Sequence, residues 1–363
     1  MTRNDELLQQ LFDAELIRIR RSRLFDQHVQ PKGPRFDFDK VEGMMLGLAI
    51  GDALGITTEG MLPAERRATH GELRDYIPNK YVNAPIGFPS DDTQLAFWTL
   101  EQMIADRGFV PENVAGRFCQ DRIFGIGSTV RRFIANFKSG MPWHKCGPES
   151  AGNGALMRIA PMVVPHLAAD GTGIWTDTAL SAMLTHNDSS SIAACLAFVA
   201  MLWELLDMAE APESEWWLQR YVSIARDLEI SQYAPRGGAF LAYHGPLWRY
   251  CQERVAWADS QFLTVLDACN QWHSGAYLME TVPSVLMILT RHGHDPEEAI
   301  VRAVNDTKDN DTVAAIVGAA VGALHGRRGL PQRWIQNLSG RTTDRDDGRV
   351  FELLKTARMT FWG

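Results

Sequence analysis

Apolar residues recur at three- and four-residue spacing through positions 4–24, 41–54, 93–106, 177–184, 190–209, 281–292, 296–304 and 312–325, the period of an α-helix. Alternating, strand-like runs are scarce. Turn-forming clusters separate the helical segments: PKGPR at 31–35, NAPIGFPS at 83–90, KSGMP at 138–142 and APRGG at 234–238. No fixed-period repeat and no low-complexity tract interrupts them. The pattern predicts an all-α globule with long functional loops.

Two segments stand out from that pattern. Gly43, Gly47, Gly51 and Gly55 recur every four residues, so they share one helix face. Each Gly costs a helix about 1 kcal/mol relative to Ala, so four in register need a reason. Close helix packing in the core is the commoner one. A functional one is a smooth face that lets a site approach the helix end, near Asp52 and Glu59. Residues 1–38 form the second segment: Leu7, Leu8, Leu11, Phe12, Leu16, Ile17 and Ile19 make a broad apolar side. Arg18, Arg20, Arg21 and Arg23 crowd its end before PKGPR breaks it. A helix packed on the main body is the plainer expectation, and a partner-binding arm the sharper one.

Composition narrows the class. With 363 residues, 45% apolar and 22% charged, the chain has ordinary globular composition and length enough for one large core. A net charge of −8 argues against a general affinity for nucleic acid. Cys119, Cys146, Cys195, Cys251 and Cys269 are scattered, odd in number and form no CxxC pair, the usage of a reducing compartment. MTRNDELLQQ has no apolar signal-peptide core, and VAAIVGAAVGAL and GMMLGLAIGDALG fall short of a spanning length. A soluble, cytoplasmic protein with no membrane partner is expected.

The candidate chemistry lies at two helix starts. Residues 305–312, NDTKDNDT, place three aspartates directly before the apolar run Val313–Leu324. One Asp suffices to cap a helix, and three repel one another unless a cation lies between them. PSDDTQLAFWTLEQM at 89–103 repeats the design, with Ser90, Asp91, Asp92 and Thr93 ahead of an amphipathic helix. Together the two clusters supply four close carboxylates and two hydroxyls, a donor set for hard divalent cations such as Mg²⁺ or Mn²⁺. An EF-hand fails, because a loop begun at Asp309 has Ala314 where Gly is required and Ala320 where Glu is required. No HExxH and no Cys/His tetrad supports zinc.

GLAIGDALGITTEG at 47–60, SDDTQ at 90–94, GNGALMRIAPM at 152–162, LTHNDSSSIAACLAF at 184–198, SGAYLMETVPSVLMIL at 274–289 and DNDTVAAIVGAAVGAL at 309–324 occur in one order. In that order they resemble the ADP-ribosylglycohydrolases, of the type related to the dinitrogenase-reductase-activating glycohydrolase. The resemblance covers roughly residues 40–326. It implies a compact orthogonal all-α globule over 39–363, preceded by a 1–38 helical extension, and an enzyme with two metal ions. The implied reaction removes ADP-ribose from modified protein side chains, ADP-ribosylarginine first among them, by hydrolysing an N- or O-glycosidic bond.

The resemblance further implies site roles. Ser90, Asp91 and Asp92 match one ligand set and Asp309, Asp311 and Thr312 the other, with Asp311 the bridge and Asp92 and Asp311 central to catalysis. Glu59 matches the glutamate that positions or activates water. Asn153 and Gly154 resemble a ribose- and diphosphate-holding loop, and GIGST at 125–129, with Gly127 and Ser128, a phosphate-facing one. His186 and Tyr277 match positions near the ligand. By themselves they would read as a capping or core histidine and a core aromatic, and Glu59 as a surface carboxylate.

Three positions depart from the family pattern. Ser90 supplies a hydroxyl before the first Asp pair, Thr307-Lys308 replaces Gly-Gly before the second, and Asn310 separates its aspartates. Lys308 is expected to weaken one metal site by like-charge repulsion. The 1–38 segment suits an added role, such as capping an ADP-ribosyltransferase toxin in the manner of an immunity protein. A binding protein with catalysis secondary is therefore the alternative, while a metal-dependent phosphatase shares the carboxylates and leaves the Gly-rich and Tyr segments unexplained.

Overall fold

The computed structural model describes residues 2–78 and 83–363, and among these no strand forms; only isolated backbone bridges occur. Two helices, Asp39–Gly55 and Asn310–Gly329, lie antiparallel at the centre. Both are apolar on nearly every side, as a helix must be when neighbours enclose it. Their contact is backbone on backbone: a Cβ added at Gly43, Gly47 or Gly51 would overlap the carbonyl oxygens of Gly322, Gly318 or Ala314. At Gly55 it would overlap the backbone of Asp311, so both readings of the glycine face hold. The face packs the core and also lets the acidic turn approach the end of the first helix.

The helices Asp91–Asp106, Ser189–Leu205, Leu278–His292 and Pro296–Asp306 surround this pair, and Ser189–Leu205 is buried along nearly its whole length. Residues 39–58 are long and apolar enough to cross a membrane by length and composition, contrary to the shorter run read from the sequence. Yet 83% of that window is buried inside the protein. Several helices that the apolar pattern did not flag lie outside this centre, among them Ser128–Lys138, Ser214–Leu228 and Leu247–Ser260. Ser214–Leu228 buries Trp217, Tyr221, Val222, Ile224, Ala225 and Leu228, with Glu215, Arg220, Arg226 and Asp227 among the positions left outside.

The helix expected over 4–24 ends at Asp13. Thr2 and Asp5 close a capping box at its start, and Glu15 at φ 53° turns the chain out of the helix. Beyond this turn the chain runs as an extended strap with Ile17 and Ile19 buried. The strap is tied down by Asn187 Nδ2 to the Leu16 carbonyl (2.8 Å) and by Arg20 N–H to the Leu228 carbonyl (2.9 Å). Upstream, Asn4 donates to Asp177 (2.6 Å) and to the Phe109 carbonyl (2.8 Å), while Leu8 and Leu11 join the main core. The apolar side of residues 2–38 thus faces the body of the protein. Leu11→Ala is expected to cost about 2–5 kcal/mol in denaturant unfolding. An unchanged midpoint would mean that this contact carries no stability.

Candidate metal centre and active site

Asp52 closes the first central helix as a charge inside an apolar run, and it is completely buried. Both its oxygens accept the Ser90 N–H at 2.9 Å, and Oδ2 also accepts the Thr93 N–H (3.0 Å) and hydroxyl (2.6 Å). These are N–H groups that the start of a helix leaves without partners. Because Asp52 satisfies them from outside, Ser90 makes no side-chain cap, and Asp91 and Asp92 are released from capping. Ser90 Oγ instead reaches Asp92 Oδ2 at 3.3 Å.

The second acidic turn is built the same way. Asp309 stands at the cap position of Asn310–Gly329 without a side-chain cap bond, and its Oδ2 accepts Asn153 Nδ2 at 2.6 Å. Asn310 turns away, donating to the Gly55 carbonyl (3.1 Å), Thr58 Oγ1 (3.0 Å) and the Val304 carbonyl (3.2 Å). Buried Arg66 fastens the same corner through Thr58 Oγ1 (2.9 Å) and the carbonyls of Met61 (3.0 Å) and Thr307 (2.8 Å). Neither acidic cluster is therefore an elaborate cap.

The two helix starts meet. One oxygen from each of Asp52, Asp92 and Asp311 lies within 4.8 Å of the other two, and the same holds for Glu59, Asp309 and Asp311. Asp311 belongs to both groups. Asp92 and Asp311 are buried, and each keeps an Oδ1 with no hydrogen-bond partner among the described residues. Burial, then the charges of neighbouring carboxylates, pushes both carboxyls well above their usual range, and Asp91 and Asp309 rise for the same first cause. Clustered acids, two of them with an unfilled oxygen, make a donor set that fits a hard divalent cation. Thr312, buried on the first turn, adds a hydroxyl-bearing side chain beside Asp311.

Two loops frame the carboxylates. Gln94 accepts the Phe124 N–H (2.9 Å) and donates to the carbonyls of Arg122 (3.0 Å) and Thr342 (3.1 Å), which fixes the chain ahead of Gly125. Gly125 has φ +59°, and a Cβ there would stand 3.1 Å from Asp91 Oδ1. Gly127 and Ser128 are exposed at the start of the Ser128–Lys138 helix, with N–H groups free of intrahelical partners. Asn153 and Gly154 lie on a second loop, bridged through Gly152 to Tyr277. His186 is buried beneath that loop, and a Cβ on Gly154 would stand 2.9 Å from its Cε1. Burial and the nearby Arg158 charge lower the His186 pKa to about 3, so the ring is neutral at pH 7. Its Nδ1 contacts Thr185 Oγ1 (2.9 Å), which Arg158 also holds (2.9 Å).

The sequence model of the ADP-ribosylglycohydrolase family matches residues 34–359. The chain belongs to the ADP-ribosylglycohydrolase family. Its similarities include an ADP-ribosylarginine hydrolase of Pseudomonas putida, 24% identical over 84% of this chain and 76% of that protein. An ADP-ribosyl-[dinitrogen reductase] glycohydrolase of Rhodospirillum rubrum is 25% identical over 83% of this chain and 90% of that one. A solved ADP-ribosylglycohydrolase-related protein complex superposes with a TM-score of 0.64 at 26% identity, covering 89% of this chain and 98% of its own. This ADP-ribosylglycohydrolase is accordingly an all-α glycosidic-bond hydrolase.

Of the site residues expected from the sequence, Glu59, Asp92, Asp309 and Asp311 lie in the two carboxylate groups, Ser90, Asp91 and Thr312 lie at the same helix starts, and Gly127, Ser128, Asn153, Gly154, His186 and Tyr277 lie on loops and helix ends of this ADP-ribosylglycohydrolase. Asp52 was expected only to lie near the site, and Gln94, Arg66 and Asn310 received no role. A carboxylate inside the apolar run 41–55 was the one signal available for Asp52. Arg66, in a short charged helix, left none.

Proposed function

We propose that the protein releases ADP-ribose from ADP-ribosylarginine on modified proteins, using two Mg²⁺ or Mn²⁺ ions held by Ser90, Asp91, Asp92, Asp309, Asp311 and Thr312. The observation that carries this reading is the pair of carboxylate groups sharing Asp311, with unfilled buried oxygens. Arginine as the acceptor is supported by the ADP-ribosylarginine hydrolases of Pseudomonas putida and Serratia proteamaculans among the relatives. The chemistry such ions supply when bound is charge that orients the ribose diol and polarises water at the anomeric carbon.

The chain's own groups do the rest. Asn153 holds Asp309 in place through its amide. Asp52, with its oxygens already engaged by Ser90 and Thr93, positions the first acidic turn. Glu59 is exposed and closes the second carboxylate group, the place for a base that takes a proton from water as the bond to the acceptor nitrogen breaks. The N–H groups at Gly127 and Ser128 suit phosphate oxygens. Capping of an ADP-ribosyltransferase by residues 1–38 has no comparable observation in its favour, because the apolar side it requires is already buried.

The test is ADP-ribose release from arginine-, serine- and cysteine-linked substrates, with EDTA or with Mg²⁺. Arginine-linked substrate is expected to turn over fastest, EDTA to stop it and Mg²⁺ to restore it. Undiminished turnover in EDTA excludes the metal assignment. Glu59→Gln should lower kcat by about 100-fold or more while ADP-ribose affinity is kept, since the amide preserves shape and loses the base. An equal fall in affinity would make Glu59 a holding residue.

A further inference from the structure

The carboxylate centre is chemically one-sided. Asp52, Glu59, Asp91, Asp92, Asp309 and Asp311 crowd it, so two divalent ions held there would offset only part of the negative charge that a diphosphate meets. A cation at the rim would answer this, and the segment 230–246 presents one.

That segment is irregular but firmly held. Tyr233 Oη donates to Asp188 Oδ1 at 3.0 Å, the same oxygen that accepts the N–H groups of Ser190 and Ser191 at the start of Ser189–Leu205. Tyr233 and Gly245 exchange backbone hydrogen bonds of 2.8 and 3.1 Å, and Ala239 N–H donates to the Gln271 carbonyl at 2.7 Å. Gly238, at φ +82°, leaves no room for a Cβ against Gln271 and Trp272. Between these anchors Arg236 lays its guanidinium 4.1 Å from the centre of the Tyr277 ring.

Tyr277 is part of the site's frame. Its backbone bridges Gly152, and the next residue, Asn153, grips Asp309. Arg236 itself is exposed, and among the described residues no carboxylate forms an ion pair with it. Nearby Glu280 already accepts the Gly275 N–H at 3.1 Å, and the other local cation, Lys308, is held by His273 Nε2 at 3.0 Å. A loop anchored at three points thus holds an arginine over the Tyr277 ring, and no hydrogen bond or ion pair from its guanidinium occurs among the described residues. Stacking on an aromatic ring orients the planar fork, and that fork matches phosphate oxygens two at a time.

We propose that Arg236, oriented by Tyr277, binds the diphosphate of the ADP-ribosyl group and favours diphosphate-bearing ligands over uncharged nucleosides. This rests on the ADP-ribosyl-hydrolase reading. It adds a binding residue outside the six segments that carry the family resemblance.

The experiment measures ADP-ribose and adenosine binding by calorimetry for the wild type, Arg236→Gln and Arg236→Lys, alongside steady-state kinetics. Arg236→Gln should weaken ADP-ribose about 10- to 100-fold, as expected for loss of charge-assisted hydrogen bonds, and leave adenosine unchanged. KM should rise while kcat stays within about threefold, melting temperature should hold, and Arg236→Lys should restore part of the affinity. Equal ADP-ribose affinity in wild type and Arg236→Gln overturns the proposal. So does a loss shared equally by adenosine, which would place the base on Arg236, or a change confined to KM for the modified protein, which would place the acceptor there. A wild type that binds no ADP-ribose overturns the hydrolase reading along with it.

Discussion

Asp311→Ala is expected to lower ADP-ribose release by about 1000-fold or more while the protein remains folded. Asp311 is the carboxylate common to both acidic groups, so its loss takes a donor from each. The same burial that makes it costly as an unpaired charge makes it dispensable to the fold. Its Oδ1 has no hydrogen-bond partner among the described residues, and Asp309, Glu59 and Asp52 all act on it as like charges. Removing that repulsion should hold or raise the melting temperature in EDTA. Added Mg²⁺ should then stabilise the wild type by mass action and leave the variant unmoved. Turnover within tenfold of the wild type, or a variant that melts far lower in EDTA, would show that Asp311 is a structural group.

Gly47→Val should be among the most destabilising single substitutions in the protein, at about 4 kcal/mol or more, and should reduce the yield of folded material. A side chain at Gly47 cannot escape by choosing another rotamer, because its Cβ alone would overlap the Gly318 carbonyl group. The two central helices would have to separate, and Gly55 and Asp311 would part with them. Gly33→Ala is the control, since nothing lies within 4 Å of a Cβ there, and it should change stability by no more than about 0.5 kcal/mol. Chemical denaturation of both variants decides the matter. A Gly47→Val midpoint equal to the control would mean that the helix pair tolerates a wider spacing.

Helices dense in apolar residues were legible along the chain, whereas Ser128–Lys138, amphipathic but with few apolar residues, was not. The expected segments 41–54, 93–106, 281–292 and 312–325 lie within helices that differ from them by a few residues at their ends. The first helix was overextended to residue 24, since periodicity counts apolar residues and Ile17 and Ile19 are buried in an extended strap just as they would be in a helix. The acidic turns were legible too, because aspartates gathered beyond the need of a cap are unstable without a cation.

By itself, the sequence determined the all-α class, the four-residue glycine face and the identity of the acids at two helix starts. Each of these is a local pattern, set by the 3.6-residue period and by repulsion between near neighbours in the chain. Only the tertiary structure decided that two carboxylate groups share Asp311 and that Asp52 takes over the capping of the first acidic turn. It also decided that Arg66 and Asn310 fasten the other turn and that Arg236 lies on Tyr277. The long-range hydrogen bonds among them, Ser90 to Asp52, Arg66 to Thr307 and Asn310 to Gly55, join residues 38, 241 and 255 positions apart. No local propensity encodes them; they arise from how closely two glycine-faced helices pack and from what that packing brings to their ends.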